Sequence, residues 1–442
     1  MSHSWWPPAL LPRPVGGPFG WAARLMLAGV AVLPALSLVL PSGYSWGSLL
    51  MCLAGLLAWR QWRSVWREPA FVAWWAAVLA MGLIWSLDAV LADPFRANTL
   101  DRPLKFALAL LALPALCLSP ERWLVGLRWG IWLGALGAAA TAAWQIHGTG
   151  MLRAWGHTNA IHFGNLALLL GFWSWIWARN EHGWPHWLGL VAALAGGYAS
   201  IASESRGGWW TVPLLLALVV VLGKRPEGAA TVGRLRALRY RMAVGALAAA
   251  LLLGWQWDLL RQRADLAWQE VRLHWTTGDS ASSVGQRLAH WEFAWQLGAE
   301  KPLSGWGEQG YHAEKDRRVA LGQAPAVLQA FGHAHNEWLD MWVKRGLPGV
   351  VVLALFFGVP LALYARALRG DLSGWAGQAA GAAPVPVGAR QAAALCGLVT
   401  VAGYVGFGMT QVMFAHNSGT MMFLFMNLVW LGLCVPIRAV SR

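Results

Sequence analysis

An all-α protein that crosses a membrane many times is the fold this sequence predicts, and three observations predict it. Of the 442 residues, 57% are hydrophobic, and the mean hydropathy is +0.45. Charged residues make up 12%, about half the share of a typical soluble domain. A soluble chain of this length needs more polar surface than that to face water. Tryptophan occurs 33 times, which suits a chain with two interfaces, because indole rings gather where lipid meets water.

A helix needs about 20 apolar residues to cross the hydrocarbon core. Stretches of that kind fall at 21–40, 44–60, 69–91, 103–118, 122–145, 160–178, 185–202, 207–223, 242–258, 347–366, 390–413 and 418–436, about twelve spans in all. Arg13 and Arg24 precede or open the first run, and no convincing cleavage site follows, so the first span is expected to be retained. The four cysteines, Cys52, Cys117, Cys396 and Cys434, all sit inside apolar stretches. Their spacing fits neither a disulfide framework nor a metal site, which leaves them as small packing residues.

Basic residues orient the spans, since cytoplasmic loops collect Lys and Arg. With the N-terminus in the cytoplasm, that side receives Arg60, Arg63, Arg67, Arg179, Lys224, Arg225, Arg234, Arg236, Arg239, Arg241, Arg366, Arg369, Arg390, Arg438 and Arg442. The short loops opposite carry Arg96, Arg102, Arg153 and Arg206. Both termini are then cytoplasmic. The formal charge of +14 is largely this topology signal, and no nucleic-acid partner is needed to explain it.

Residues 259–334 are the one long hydrophilic stretch, and the alternation places them on the outer side. Helical patterning runs through Leu259–Leu273 and Gln286–Leu297, while "PLSGWGEQG" at Pro302–Gly310 reads as a structured turn. Five tryptophans (Trp268, Trp275, Trp291, Trp295 and Trp306) argue that the loop is ordered. A helix over Glu337–Arg345 follows. Asn336 or its predecessors cap the start, Lys344 and Arg345 complement the dipole at the end, and Gly346 with Pro348 ends it. A straight helix from His335 to Arg366 would be about 48 Å long, more than one crossing needs. The first part is therefore expected along the outer interface, with His335 at the boundary between water and lipid.

Three elements converge on that outer side. Ser203-Glu204-Ser205-Arg206-Gly207-Gly208 joins two spans. A charged pair at membrane depth is costly and marks a functional site, although a Glu204–Arg206 ion pair in a tight turn would also account for it. Gly207 and Gly208 let a phosphate or another backbone approach closely. The long loop supplies Arg287, with Arg261, Arg263, Arg272, Lys301, Arg317 and Arg318. A guanidinium matches phosphate oxygens bidentately, and a solvated helix face is the plainer reading for most of these. His335 can accept a proton from a hydroxyl. A structural histidine at a helix start is the plainer reading there, and His333 nearby raises a metal site that would still lack its further ligands.

No Asp-x-Asp pair stands in an outer segment to anchor a divalent cation, and no Walker A loop is present. An enzyme built on this chain would use Arg to stabilise a diphosphate leaving group and would need a pre-activated donor. A lipid diphosphate sugar meets both conditions.

His335-Asn336, nine residues and then Gly346-Leu347-Pro348-Gly349 resembles the H-[NSQ]-x9-G-x-x-G signature of the O-antigen ligase and Wzy polymerase superfamily. "SRGG" at Ser205–Gly208 resembles that family's arginine turn. "GHTNAIHFGNLALLL" at Gly156–Leu170, "SVGQRLAHWEFAWQL" at Ser283–Leu297 and "PLSGWG" at Pro302–Gly307 fall in the family's order. The similarity covers about residues 150–435. It implies an inverting, metal-independent glycosyltransferase with a GT-C type membrane fold and no cofactor. The implied donor is polysaccharide on undecaprenyl diphosphate. For a ligase the implied acceptor is lipid A–core oligosaccharide, at the periplasmic face of the inner membrane and without ATP.

On that resemblance His335 is the base or the residue that orients the acceptor hydroxyl. Arg206 and Arg287 hold the diphosphate, with Arg261 and Arg263 as weaker candidates, and Asn336, Gly207, Gly346 and Gly349 support the site. The chain then divides into helices 1–9 (1–258), the periplasmic loop with its interfacial helix and active site (259–346), and helices 10–12 (347–442). Protein O-oligosaccharyltransferases share the signature but tend to be longer, and an O-antigen polymerase would use the same donor. A flippase or transporter of lipid-linked glycans, a different class, has no need of the histidine. It should also show pseudo-symmetric halves, and no such repeat is visible.

Overall fold

A computed structural model of the chain describes residues 18–91, 95, 97–118, 120–223, 257–278, 280–370 and 385–435. Every regular element among these residues is helical. In chain order they are α1 (Pro18–Leu36), α2 (Gly43–Leu57), α3 (Trp62–Trp66), α4 (Pro69–Leu91), α5 (Asp101–Leu111), α6 (Pro120–Ala143), α7 (Ala160–Ala178), α8 (Trp184–Ala202), α9 (Arg206–Trp209) and α10 (Val212–Leu222). They continue as α11 (Trp257–Thr277), α12 (Ser283–Glu300), α13 (Gly307–Ala320), α14 (Glu337–Arg369), α15 (Val387–Gly408) and α16 (Asn417–Cys434).

Six helical stretches among the described residues are long and apolar enough to cross a bilayer: Pro69–Leu91, Trp123–Gly148, Ala160–Ala178, Glu337–Arg369, Val387–Gly408 and Asn417–Cys434. Each answers a predicted span. Gly20–Leu36, Gly43–Leu57 and Arg206–Leu222 are shorter apolar helices at three more predicted positions, and 185–202 folds as α8. At 103–118 the helix is shorter than predicted. α5 covers 11 residues, a rise of about 16 Å, and a 3-10 turn at Leu113–Cys117 completes the stretch. The predicted span at 242–258 falls outside the described residues except for its last two positions. So do Arg13, Arg96, the basic run from Lys224 to Arg241, Arg438 and Arg442.

α16 is the axis of the bundle, with every side chain from Ser418 to Cys434 buried. α7 and α15 flank it and are nearly as enclosed. Small residues set the spacing. A Cβ on Gly196 of α8 would lie 2.6 Å from the Ala167 carbonyl and 2.7 Å from the Gly171 Cα of α7, the close approach that helices make in lipid. Buried polar contacts tie the same core together: Trp173 Nε1 donates to Thr400 Oγ1 at 3.1 Å, and Tyr364 Oη to Asn427 Oδ1 at 2.8 Å.

The hydrophilic segment folds as α11, α12 and α13, close to the two helical patterns read from its sequence. α12 starts at Ser282, whose hydroxyl accepts from the Gly285 N–H at 3.0 Å, an N-cap. α12, α13 and the first turns of α14 enclose a second, smaller apolar core of Ala289, Phe293, Ala294, Leu297, Tyr311, Leu328, Ala334 and Val343.

Within α14 two helices meet at Gly346: the first ends there, as its Gly and Pro suggested, and the span that follows starts at once, without a loop. Gly346 alone has non-helical backbone (φ 62°), and a Cβ there would sit 2.7 Å from the Pro302 carbonyl oxygen. That same carbonyl accepts from the Leu347 N–H at 2.8 Å. Pro348 then falls in the first turn of the resumed helix, where its missing N–H costs nothing. Lys344 and Arg345 do not serve as exposed partners of the dipole. Both are buried in ion pairs.

Candidate active site

The site gathers at one end of the bundle, where four segments meet: the turn 203–208, the corner 409–416 between α15 and α16, the start of α14, and the first turns of α12. Serines shape the turn. Ser205 Oγ donates to the Ala160 carbonyl at 2.6 Å and Ser203 Oγ to that of Ser200 at 2.6 Å. Gly164 leaves room for them, since its Cβ would meet Ser203 Oγ at 2.0 Å. Gly207 and Gly208 let protein rather than phosphate come close. A Cβ on Gly207 would lie 2.6 Å from Thr410 Oγ1, and one on Gly208 would lie 2.0 Å from Asn165 Oδ1.

Inside this turn Glu204 holds a left-handed backbone (φ 52°), a conformation that costs a non-glycine residue free energy. Arg206 Nη2 stands 3.6 Å from Glu204 Oε2, both side chains about half exposed (52% and 50%). The pair is long and wet, so the guanidinium is lightly held.

Three consecutive residues fasten the start of α14 to the corner. His335 Nδ1 and Gln411 Oε1 are 3.1 Å apart, Asn336 Nδ2 donates to the Met409 carbonyl at 3.1 Å, and Glu337 Oε2 accepts from the Phe414 N–H at 3.1 Å. Asn336 also caps α14, its Oδ1 accepting from the Trp338 and Leu339 N–H groups at 3.0 and 3.2 Å. One side chain thus starts a helix and anchors a loop. His335 itself is left-handed (φ 52°), and the three bonds hold it there. Gly349 lies beneath this turn, where a Cβ would press on Arg345 Cβ at 2.6 Å and the Met341 carbonyl at 3.0 Å.

His335 is buried and packed among rings: His333 and Phe331 each at 4.4 Å and His290 at 5.4 Å between centroids. Burial pushes its imidazole down to about 4, the Gln411 bond works upward and the neighbouring Arg287 adds to the fall. Burial likewise holds His333 at about 2 and His290 at about 3. His335 is therefore neutral, and able to take a proton, across the physiological range.

Arg287 projects from α12 toward this cluster. Burial lowers its pKa and a second cation, Arg153, lowers it further. Arg153 Nε donates to the Ser203 carbonyl at 3.1 Å, which ties it to the turn that carries Arg206. Among the described residues neither Arg153 nor Arg287 has a carboxylate partner. Among the described residues Arg153, Arg206 and Arg287 have one ion pair between them, the long one to Glu204, while Glu337 and Asp340 stand on the His335 side. Such an excess of fixed positive charge is a binding site for a polyanion.

Arg287 acts on His335 through its charge, while Arg206 stands on the turn whose Gly207 packs against Thr410, the residue before Gln411. Arg261 is exposed on α11 and no bond ties it to the cluster, while the Arg263 side chain lies outside what the structure describes. Sequence reasoning missed Arg153, which it counted as a stray loop charge, and Gln411, at the end of a span with no signature around it. The sequence offers His333 only as a metal ligand. Among the described residues no three His, Cys, Asp or Glu side chains are grouped so as to hold a metal ion.

Residues 190–354 match the model of a protein family described as O-antigen ligase. The match takes in the arginine turn, the hydrophilic segment and the kinked helix as far as residue 354, and so includes Arg206, Arg287 and His335. The chain is also similar to an uncharacterized protein of Haemophilus influenzae, 23% identical over 295 residues, which covers 65% of this chain and 68% of that protein.

Proposed function

The chain belongs to the O-antigen ligase superfamily, and on that premise we propose that it is an O-antigen ligase. Its donor is a polysaccharide carried on undecaprenyl diphosphate, and its acceptor is a hydroxyl of lipid A–core oligosaccharide. The site faces the periplasm from an inner-membrane fold of GT-C type with about twelve crossings. What supports this orientation is the charge at the opposite end of the bundle, where Arg67, Arg179, Arg366, Arg369 and Arg390 stand at or beside helix ends.

In this reading the acceptor hydroxyl gives its proton to the His335 imidazole as its oxygen attacks the anomeric carbon. The carbon–oxygen bond to the diphosphate breaks on the opposite face, so the configuration inverts. The negative charge that grows on the leaving group is met by Arg206, Arg287 and Arg153. The products are a glycosidic bond and undecaprenyl diphosphate, and His335 returns its proton to solvent. The energy comes from the donor, so neither ATP nor a metal ion enters. The single observation that carries the reading is a buried, neutral histidine beside guanidinium groups that have one long ion pair between them.

The test is transfer by the purified full chain in nanodiscs, given lipid-linked glycan and lipid A–core with EDTA and no ATP. Glycan on lipid A–core is expected. A longer lipid-linked glycan with unmodified lipid A–core would make the protein a polymerase, and no glycan transfer at all would leave the transporter class. His335→Ala should abolish transfer while donor binding persists, and near-normal transfer by that variant would remove the assignment of the base.

A further inference from the structure

We infer that Gln411 is a positioning residue that holds His335 as its Nδ1–H tautomer, so that Nε2 is the nitrogen that receives the acceptor's proton. The inference rests on the reading of His335 as base and adds to it which atom is basic and what keeps it so. A neutral imidazole carries one proton, and the partner of one nitrogen decides the role of the other. Here the partner is the Gln411 carbonyl oxygen, 3.1 Å from Nδ1, with both groups buried. A carbonyl oxygen only accepts, so Nδ1 must donate. Nε2 is then left as a lone pair.

The neighbouring imidazole carries its proton the other way. The His335 backbone N–H donates to His333 Nδ1 at 3.3 Å, which leaves the proton of a neutral His333 on its Nε2. The two rings stand 4.4 Å apart with an interplanar angle of 76°. One offers an acceptor and the other a donor, a pairing that suits a sugar hydroxyl better than two like tautomers would. The bonds of Asn336 and Glu337 to Met409 and Phe414 keep the corner in register, so the amide meets the ring at one place.

A carboxylate in place of the amide would accept the same hydrogen bond and also stabilise the imidazolium, as the acid of a catalytic triad does. The charged and titratable groups around His335 are Arg287 and His290 on α12, His333 two residues before it, and Glu337 and Asp340 on α14. None of these changes in a Gln411 variant. In wild type the rate should hold as pH falls and drop only near 4, where His335 takes up its proton in the free enzyme.

The experiment measures kcat/KM for glycan transfer against pH in nanodiscs for wild type, Gln411→Glu and Gln411→Leu. Gln411→Glu should move the acid limb upward by at least one unit and keep most of the plateau rate. Gln411→Leu should lose at least tenfold in kcat with donor KM unchanged. A Glu variant with its limb at the wild-type position, or a Leu variant within twofold of wild type, overturns the inference. Histidine labelled with 15N, assigned with His335→Gln, reads the tautomer without turnover. A proton on Nδ1 is expected, and one on Nε2 overturns it. Should His335→Ala transfer glycan normally, the functional reading fails instead, and the labelled spectrum still judges Gln411.

Discussion

A guanidinium that is half buried without a carboxylate is held at a cost, since desolvation is not offset by a partner. Arg287 stands in that condition, and the exposed Arg153 lies close enough to repel it; a diphosphate between them would relieve the repulsion. At Arg206 the identity of the cation matters as well as its charge. Arg206→Lys keeps the charge and loses the planar fork, so kcat/KM should fall by about 10- to 100-fold, roughly 1.4 to 2.7 kcal/mol. Equal rates would reduce the role to charge alone. Arg153→Ala should raise the donor KM by about tenfold and leave His335 chemistry intact, and an unchanged KM would remove it from the site. The sequence made Arg206, Arg287 and His335 readable because each sits in a short motif. Arg153 and Gln411 act through contacts that only the fold creates, and a lone Arg or Gln carries no local mark of them.

At the scale of the element, α14 shows how far local chemistry can be read. The Asn336 cap and the break at Gly346 both follow from residue type, as does the helical content of α12. What could not be read is how the two helices are joined at the break, because the groups that fix the joint come from Pro302 and Leu303, far away in the chain. Gly305 belongs to the same joint: it has φ 66°, and a Cβ there would lie 2.4 Å from the Lys344 carbonyl. Gly346→Ala should therefore be severe. A left-handed alanine already costs about 1–2 kcal/mol, and the Pro302 carbonyl leaves its Cβ no room. The expected result is a thermal midpoint lowered by several degrees and at least a tenfold loss of transfer, since the joint sets the angle at which His335 meets the corner. Near-normal values of both would mean that the kink can relax, and that its angle does not position the site.

Across the whole molecule, a membrane core and a smaller core in the hydrophilic segment must keep a fixed relation if a base on one is to meet cations on both. The structure ties them with a buried ionic knot. Arg345 Nη2 pairs with Asp88 Oδ2 of α4 at 2.7 Å, with side chains 4% and 8% exposed. Asp88 Oδ1 also accepts from the Glu308 N–H of α13 at 2.9 Å. Lys344 Nζ reaches Glu308 and Asp340 at 3.1 and 3.0 Å, and Arg345 lies 4.1 Å above the Trp85 ring. A predicted crossing at 69–91 contained Asp88 and the outer helix contained Arg345, yet nothing in the order of residues pairs them. Removing one partner of a buried pair leaves the other uncompensated, at a cost of about 3–5 kcal/mol. Asp88→Ala should thus lower the thermal midpoint in nanodiscs sharply and raise hydrogen exchange in α13 and the first turns of α14. Asp88→Asn, which can keep the bond to Glu308, should fall between. The double variant Asp88→Ala with Arg345→Met removes both charges and should recover most of the midpoint. If Asp88→Ala melts like wild type, the two cores are held together by apolar contact alone. A double variant no better than the single would mean that Arg345 contributes by packing on Trp85 rather than by its pair.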